Sequence, residues 1–142
     1  MQLSIVIPLF NEEESLPELV EWIERVCNEY KYSREIVLVD DGSTDNSWQV
    51  VEQLAATYSS VRGIRFQRNY GKSAALNEGF KAATGDYLTW TSDDNEYAPD
   101  AIEKMLEALH REPAVDFVYA DYWALDEGSG KKELVKVPDE LK

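Results

Sequence analysis

Asp93 and Asp94, within TWTSDDNEYAPD (Thr89–Asp100), set two carboxylates side by side directly after an apolar run. Adjacent acids repel unless a cation or hydrogen-bond donors offset their charge. A hard divalent ion does so, because Mg2+ or Mn2+ takes one or two carboxylates and completes its shell with phosphate oxygens and water. The competing reading is a solvated turn, since Pro99 and Asp100 open a helix immediately afterwards. Three other stretches tip the balance towards metal, because each gathers groups able to bind a phosphorylated ligand. In DDGSTDN, Gly42 permits a tight turn, and Ser43, Thr44 and Asp45 can cap the next helix. Asp41 is not used up by that capping. Its carboxylate could accept a hydrogen bond from a nucleobase N–H, as uracil or guanine offers, or it could fix the turn together with Asp40. In PLFNEEE, Phe10 could lie against a base or plug the end of a sheet, whereas Glu12, Glu13 and Glu14 suit the start of a helix. In QRNYGKS, Arg68 and Lys72 could meet phosphate or a base, or simply be surface charge, and Gly71 allows close backbone approach.

These loops need a frame. LSIVIP (Leu3–Pro8) and EIVLVD (Glu35–Asp40) are near-continuous apolar runs rich in β-branched residues, as strands covered on both faces should be, so they are expected at the centre of a parallel sheet. Between them, SLPELVEWIERVCNEY carries Leu16, Leu19, Val20, Ile23, Val26 and Cys27 on one stripe, with Ser15 as a candidate N-cap and Pro17 in the first turn. Further helices are expected over NSWQVVEQLAATY, KSAALNEGFKAAT and PDAIEKMLEALH, and further strands over VRGIRF, DYLTW and DFVYADYW. DEGSGKK reads as a hairpin turn between YWAL and ELVKV. The alternation predicts an α/β fold: a three-layer α/β/α sandwich with a mostly parallel sheet, right-handed crossovers and one domain over residues 1–142. All four loaded loops would then meet at the carboxyl ends of the strands.

Composition narrows the function. With 28 acidic and 14 basic residues the net charge is -14, which opposes binding to nucleic acid or anionic lipid. A divalent cation would still let such a protein hold phosphate. Cys27 has no second cysteine to pair with and fits a core position. MQLSIVIPLF, interrupted by Pro8 and lacking a basic flank, reads neither as a signal peptide nor as a membrane span, so a cytoplasmic chain without membrane insertion is expected. There is no GxxxxGKS and no GxGxxG after the first strand, which argues against a P-loop and a dinucleotide dehydrogenase.

Taken together, LSIVIPLFNEEES, EIVLVDDGSTDNS, NYGKSAALNEGF and GDYLTWTSDDNEYAPD resemble the family 2 glycosyltransferases of the GT-A fold, in order and spacing, over roughly residues 3 to 122. The resemblance implies a Rossmann-like half that binds a UDP- or GDP-linked sugar with Mn2+ or Mg2+. It implies that Pro8 and Leu9 give backbone contacts, that Phe10 stacks near the base and Asp41 bonds its edge, and that Gly71 and Lys72 border the nucleotide. Asp93 would lie at the ribose, and Asp94 would hold the cation on the diphosphate. The family's metal motif is often DxD; here Ser92 stands in place of the first acid. The part through KSAAL is more similar to polyprenyl-phosphate sugar synthases, and GDYLTWTSDDNEYAPD to a spore-coat polysaccharide transferase. The family's catalytic base lies in a downstream acceptor-binding half, and Asp139 and Glu140 are poor substitutes for it. The expectation is therefore a donor-binding module, from an inverting enzyme when intact, and the alternative is an inactive truncated or engineered nucleotide-binding module. Tyr119, Tyr122 and Trp123 would face the missing half, so a homodimer is also expected.

Overall fold

A computed structural model describes residues 2–92 and 94–136. The expectations for Asp93, Asp139 and Glu140 fall outside the described residues. The chain divides into two compact units, Met1–Asn95 and Glu96–Lys142.

The first unit contains β1 (Gln2–Leu9), α1 (Leu16–Glu29), β2 (Ser33–Asp40), α2 (Ser47–Thr57), β3 (Val61–Arg65), α3 (Lys72–Ala82) and β4 (Tyr87–Trp90). Its four strands are all parallel, in the order β3-β2-β1-β4, so the two apolar runs hold the centre as expected. The order also assigns the helices to faces. The path from β1 through β2 to β3 steps in one direction, and the return to β4 steps in the other. With right-handed crossovers, α1 and α2 cover one face and α3 the other, which gives the three layers. Period-2 alternation in the strands agrees. Val6, Val37 and Val39 cluster with Ala75 of α3, while Ile5, Ile7, Ile36 and Leu38 are buried on the opposite face. Small residues let α3 come close: a Cβ on Gly79 would lie 2.3 Å from the Val6 side chain. Cys27 is buried in the stripe of α1, and burial pushes its thiol pKa up, as suits an inert core residue.

Pro8 stops one ladder and not the other. β1 runs in register with β2 as far as Leu9 opposite Asp40, but its pairing with β4 ends at Val6 opposite Trp90. The Val6 carbonyl accepts the Thr91 N–H, so the groups of residue 8 also point to the β4 side, where the missing proline N–H has no ladder bond to make.

The second unit holds α4 (Ala101–Arg111) and an antiparallel pair, β5 (Tyr122–Leu125) and β6 (Lys132–Val135). The expected hairpin is present. The expected long strand over Asp116–Trp123 is not, because only Tyr122 and Trp123 of that stretch are in a ladder. Apolar character alone does not make a strand; a paired neighbour must take up its backbone N–H and C=O groups. Phe117, Tyr122 and Trp123 are instead strongly exposed. Among the described residues, no helix is long and apolar enough to cross a membrane.

Candidate functional site

The carboxyl edge of the sheet is built loop by loop. After β1 the backbone turns at Asn11, whose φ of 52° lies in the left-handed region that asparagine tolerates. This aims its amide at the neighbouring loop. The Asn11 Oδ1 accepts the backbone N–H groups of Thr44 at 2.9 Å and Asp45 at 3.3 Å, and the Asn11 N–H donates to Ser43 Oγ at 2.9 Å. The Glu12 N–H donates to Ser47 Oγ at 2.9 Å, and Glu13 accepts the Asn46 N–H at 3.1 Å. The glutamates thus tie two loops together as well as sitting at a helix start. Ser15 precedes α1 but makes no side-chain cap; its hydroxyl donates to Glu12 instead. At α2 the capping role falls to Asp45, which accepts the Ser47 N–H at 2.9 Å. Phe10 sits between buried Leu9 and the clamped Asn11, with 43% of its surface exposed.

After β2 come the two aspartates. Asp40 is fully buried: one oxygen accepts the Ser43 N–H at 2.9 Å, and the other, Oδ2, has no hydrogen bond and lies 4.0 Å from Arg65 Nε. The Asp41 N–H donates to the Leu9 carbonyl at 2.9 Å, so Phe10 and Asp41 leave the sheet side by side. The buried Asp41 carboxylate accepts the N–H of Tyr70 at 2.7 Å on one oxygen and that of Gly71 at 3.0 Å on the other. It therefore fixes the third loop, a role that neither turn chemistry nor base recognition anticipated. Gly42 makes room for this: at φ 73° its Cβ would lie 2.3 Å from the Arg68 carbonyl carbon. Within the third loop the Arg68 guanidinium lies 4.8 Å from the Tyr70 ring centroid, and that ring meets Phe66 edge-on.

Gly71, at φ 98°, precedes α3, and Lys72 opens the helix with its Nζ 4.6 Å from the centroid of Trp90, the last residue of β4. Beyond Trp90, buried Ser92 donates its hydroxyl to Asp94 and accepts from Asn95 Nδ2 at 3.0 Å. The Ser92 hydrogen bond holds the Asp94 pKa below its ordinary value, and the charge of Lys72 adds to this. Asp94 is thus a carboxylate, as a ligand for a hard cation must be. Among the described residues no group of three or more acids, histidines or cysteines gathers for a metal. The donor set fits a Mg2+ or Mn2+ that draws most of its shell from phosphate and water. Asp41 binds the Gly71 N–H, Lys72 follows Gly71 and lies over Trp90, and Asp94 follows the strand that Trp90 ends, with Phe10 and the Pro8–Leu9 backbone at the same sheet edge. Asn11 and Trp90 were not singled out by residue type; an asparagine directly after a crevice aromatic was the available signal. A shallow polar hollow of about 400 Å³, lined by Glu24, Arg34, Tyr58 and Ser60 among others, lies at the opposite, amino edge and is separate from this constellation.

The family model described as glycosyl transferase family 2 matches residues 4–136. The chain belongs to glycosyltransferase family 2. An undecaprenyl-phosphate 4-deoxy-4-formamido-L-arabinose transferase from Pseudomonas fluorescens (strain SBW25) is 44% identical over 105 residues, covering 73% of this chain and 31% of that protein. This glycosyltransferase chain therefore spans about a third of the length of the curated relatives it matches. Among solved structures, the mannosyltransferase PcManGT from Pyrobaculum calidifontis, in complex with GDP-Man and Mn2+, is 26% identical with a TM-score of 0.65, covering 75% of this chain and 32% of that one. S. aureus TarS 1-349 in complex with UDP-GlcNAc superimposes with a TM-score of 0.61 at 22% identity over 80% of this chain and 32% of that one, which shows the fold. The GT-A fold of family 2 is thus the fold of this chain.

Proposed function

We propose that this chain is the donor-binding part of a metal-dependent, inverting glycosyltransferase, and that it holds a UDP- or GDP-linked sugar at the carboxyl edge of its sheet. The observation that carries the reading is Asp94, oriented by the Ser92 hydroxyl just past β4, on a frame shared with a relative whose structure holds GDP-Man and Mn2+. Phe10 lies against the base. The Pro8 and Leu9 backbone borders the nucleotide with Gly71 and Lys72, and the ribose contact is assigned to Asp93 by its residue type and family resemblance alone. Each Asp41 oxygen has a second lone pair, so Asp41 can accept a base N–H while it holds the third loop. Asp94 holds Mg2+ or Mn2+ on the diphosphate. When bound there, such an ion would offer charge compensation to the nucleoside-diphosphate leaving group. The base that deprotonates the acceptor belongs to an acceptor-binding half of the longer protein. We place that protein's donor site in the cytoplasm, which fractionation checks.

The test is calorimetry of the 142-residue chain with UDP and GDP, with Mg2+ and with chelator. Binding of one diphosphate is expected only with the cation, and Asp94→Ala should weaken it by at least about tenfold while the chain stays folded with a modest drop in melting temperature, because the buried Ser92 hydroxyl loses an acceptor. Equal affinity in Asp94→Ala would remove the metal role. The exposed Tyr119, Tyr122 and Trp123 give this chain a self-association surface. Light scattering should show a dimer, and a monomer at high concentration would rule it out.

A further inference from the structure

Lys72 is fixed at both ends. Its backbone follows Gly71, whose N–H is bound by Asp41, and its ammonium lies over the Trp90 ring. An exposed lysine at a helix start would otherwise spread over many rotamers. The choice of partner is informative in a chain with 28 acids to 14 bases. A carboxylate partner would neutralise the ammonium and would have to be displaced by an incoming anion. An indole face holds the cation through its quadrupole, without an ion pair that an incoming anion would have to break. Trp90 itself is a large aromatic kept on the partly exposed side of a short strand, 37% accessible, where core packing does not demand it.

We propose that Trp90 is a positioning residue for Lys72, holding its ammonium at the carboxyl end of β4 so that a bound nucleoside diphosphate meets a cation already in place. This rests on the donor-site reading above and adds a specific division of labour to it. Asp94 would recruit the divalent ion, and the Lys72–Trp90 pair would supply a second, permanent positive charge from the chain itself.

A double-mutant cycle on the 142-residue chain, read by calorimetry with UDP and with GDP in excess Mg2+, tests the assignment. Lys72→Met should weaken the diphosphate that binds by about tenfold or more, as loss of a charge-assisted phosphate contact does. Trp90→Leu should weaken it about two- to fivefold, the scale of an exposed cation–π contact. Trp90→Phe, which retains an aromatic face, should recover most of that loss. In the Lys72→Met background Trp90→Leu should have no further effect, because the group it positions is gone. In the ligand-free protein, Lys72→Met should change the tryptophan emission, and this change should vanish in Trp90→Phe. Additive losses, or a Trp90→Leu affinity equal to that of the unaltered chain, would overturn the proposal and leave the donor site standing. Failure of the unaltered chain to bind either diphosphate would overturn the donor-site reading and this proposal with it.

Discussion

The two edges of the parallel sheet treat carboxylates in opposite ways. At the amino edge, Glu35 accepts from the Ser4 hydroxyl and from both the N–H and hydroxyl of Thr84, with Arg62 3.1 Å away. Glu24 there is bound by Arg34 and by the Ser60 hydroxyl. Their charges are balanced by the chain's own cations and donors. At the carboxyl edge, Asp40 keeps an oxygen with no hydrogen bond, and Asp94 is held through a serine hydroxyl. The amino edge thus pairs its acids with cations and several donors, whereas at the carboxyl edge Asp41 is taken up by the third loop and Asp94 accepts a side-chain hydrogen bond from the Ser92 hydroxyl. An edge whose acids are fully satisfied is architecture, whereas one with residual capacity suits a ligand that brings its own cation.

Mutations can break this contrast. The largest stability effect is expected at the amino edge: Glu35→Ala would strip acceptors from Ser4, Thr84 and Arg62, costing about 2–3 kcal/mol in urea unfolding even after discounting the half-exposed Arg62. A smaller effect is expected with pH. Burial raises the pKa values of Glu24 and Glu35, but hydrogen bonds outweigh it, from Arg34 and Ser60 to Glu24 and from Ser4 and Thr84 to Glu35, and both values are lowered. Such groups stabilise the fold above their unfolded pKa and lose that contribution as pH falls through the folded value. Urea midpoints should therefore hold from pH 7 to about pH 5 and drop below about pH 4, with a shallower drop in Glu24→Gln. The smallest effect is expected for Asp40→Asn, within about 1 kcal/mol, because Oδ2 has no hydrogen bond to lose, its ion pair with half-exposed Arg65 is long at 4.0 Å, and Oδ1 can still accept from Ser43. If Asp40→Asn cost as much as Glu35→Ala, the distinction between the edges would fail.

The central strands were readable because burial on both faces demands uninterrupted apolar runs, and nothing else in the chain looks like LSIVIP or EIVLVD. The stripe of α1 was readable for the same reason. The stretch around Phe117 was not, since whether an aromatic-rich segment pairs depends on a neighbour that composition does not specify. At the site, residue type disclosed that Asp94 could hold a cation. It did not disclose that the serine standing where an acid is common donates to Asp94 and so orients it. The task of Asp41 was hidden by distance, as its partners lie 29 and 30 residues further along the chain.

Asn11 carries a consequence for the cost of ligand capture. Because its single amide oxygen gathers two backbone N–H groups from the following loop, the segments on either side of Phe10 and Asp41 are immobilised when the protein folds. A base settling there has little motion left to freeze, so more of its contact energy can appear as affinity.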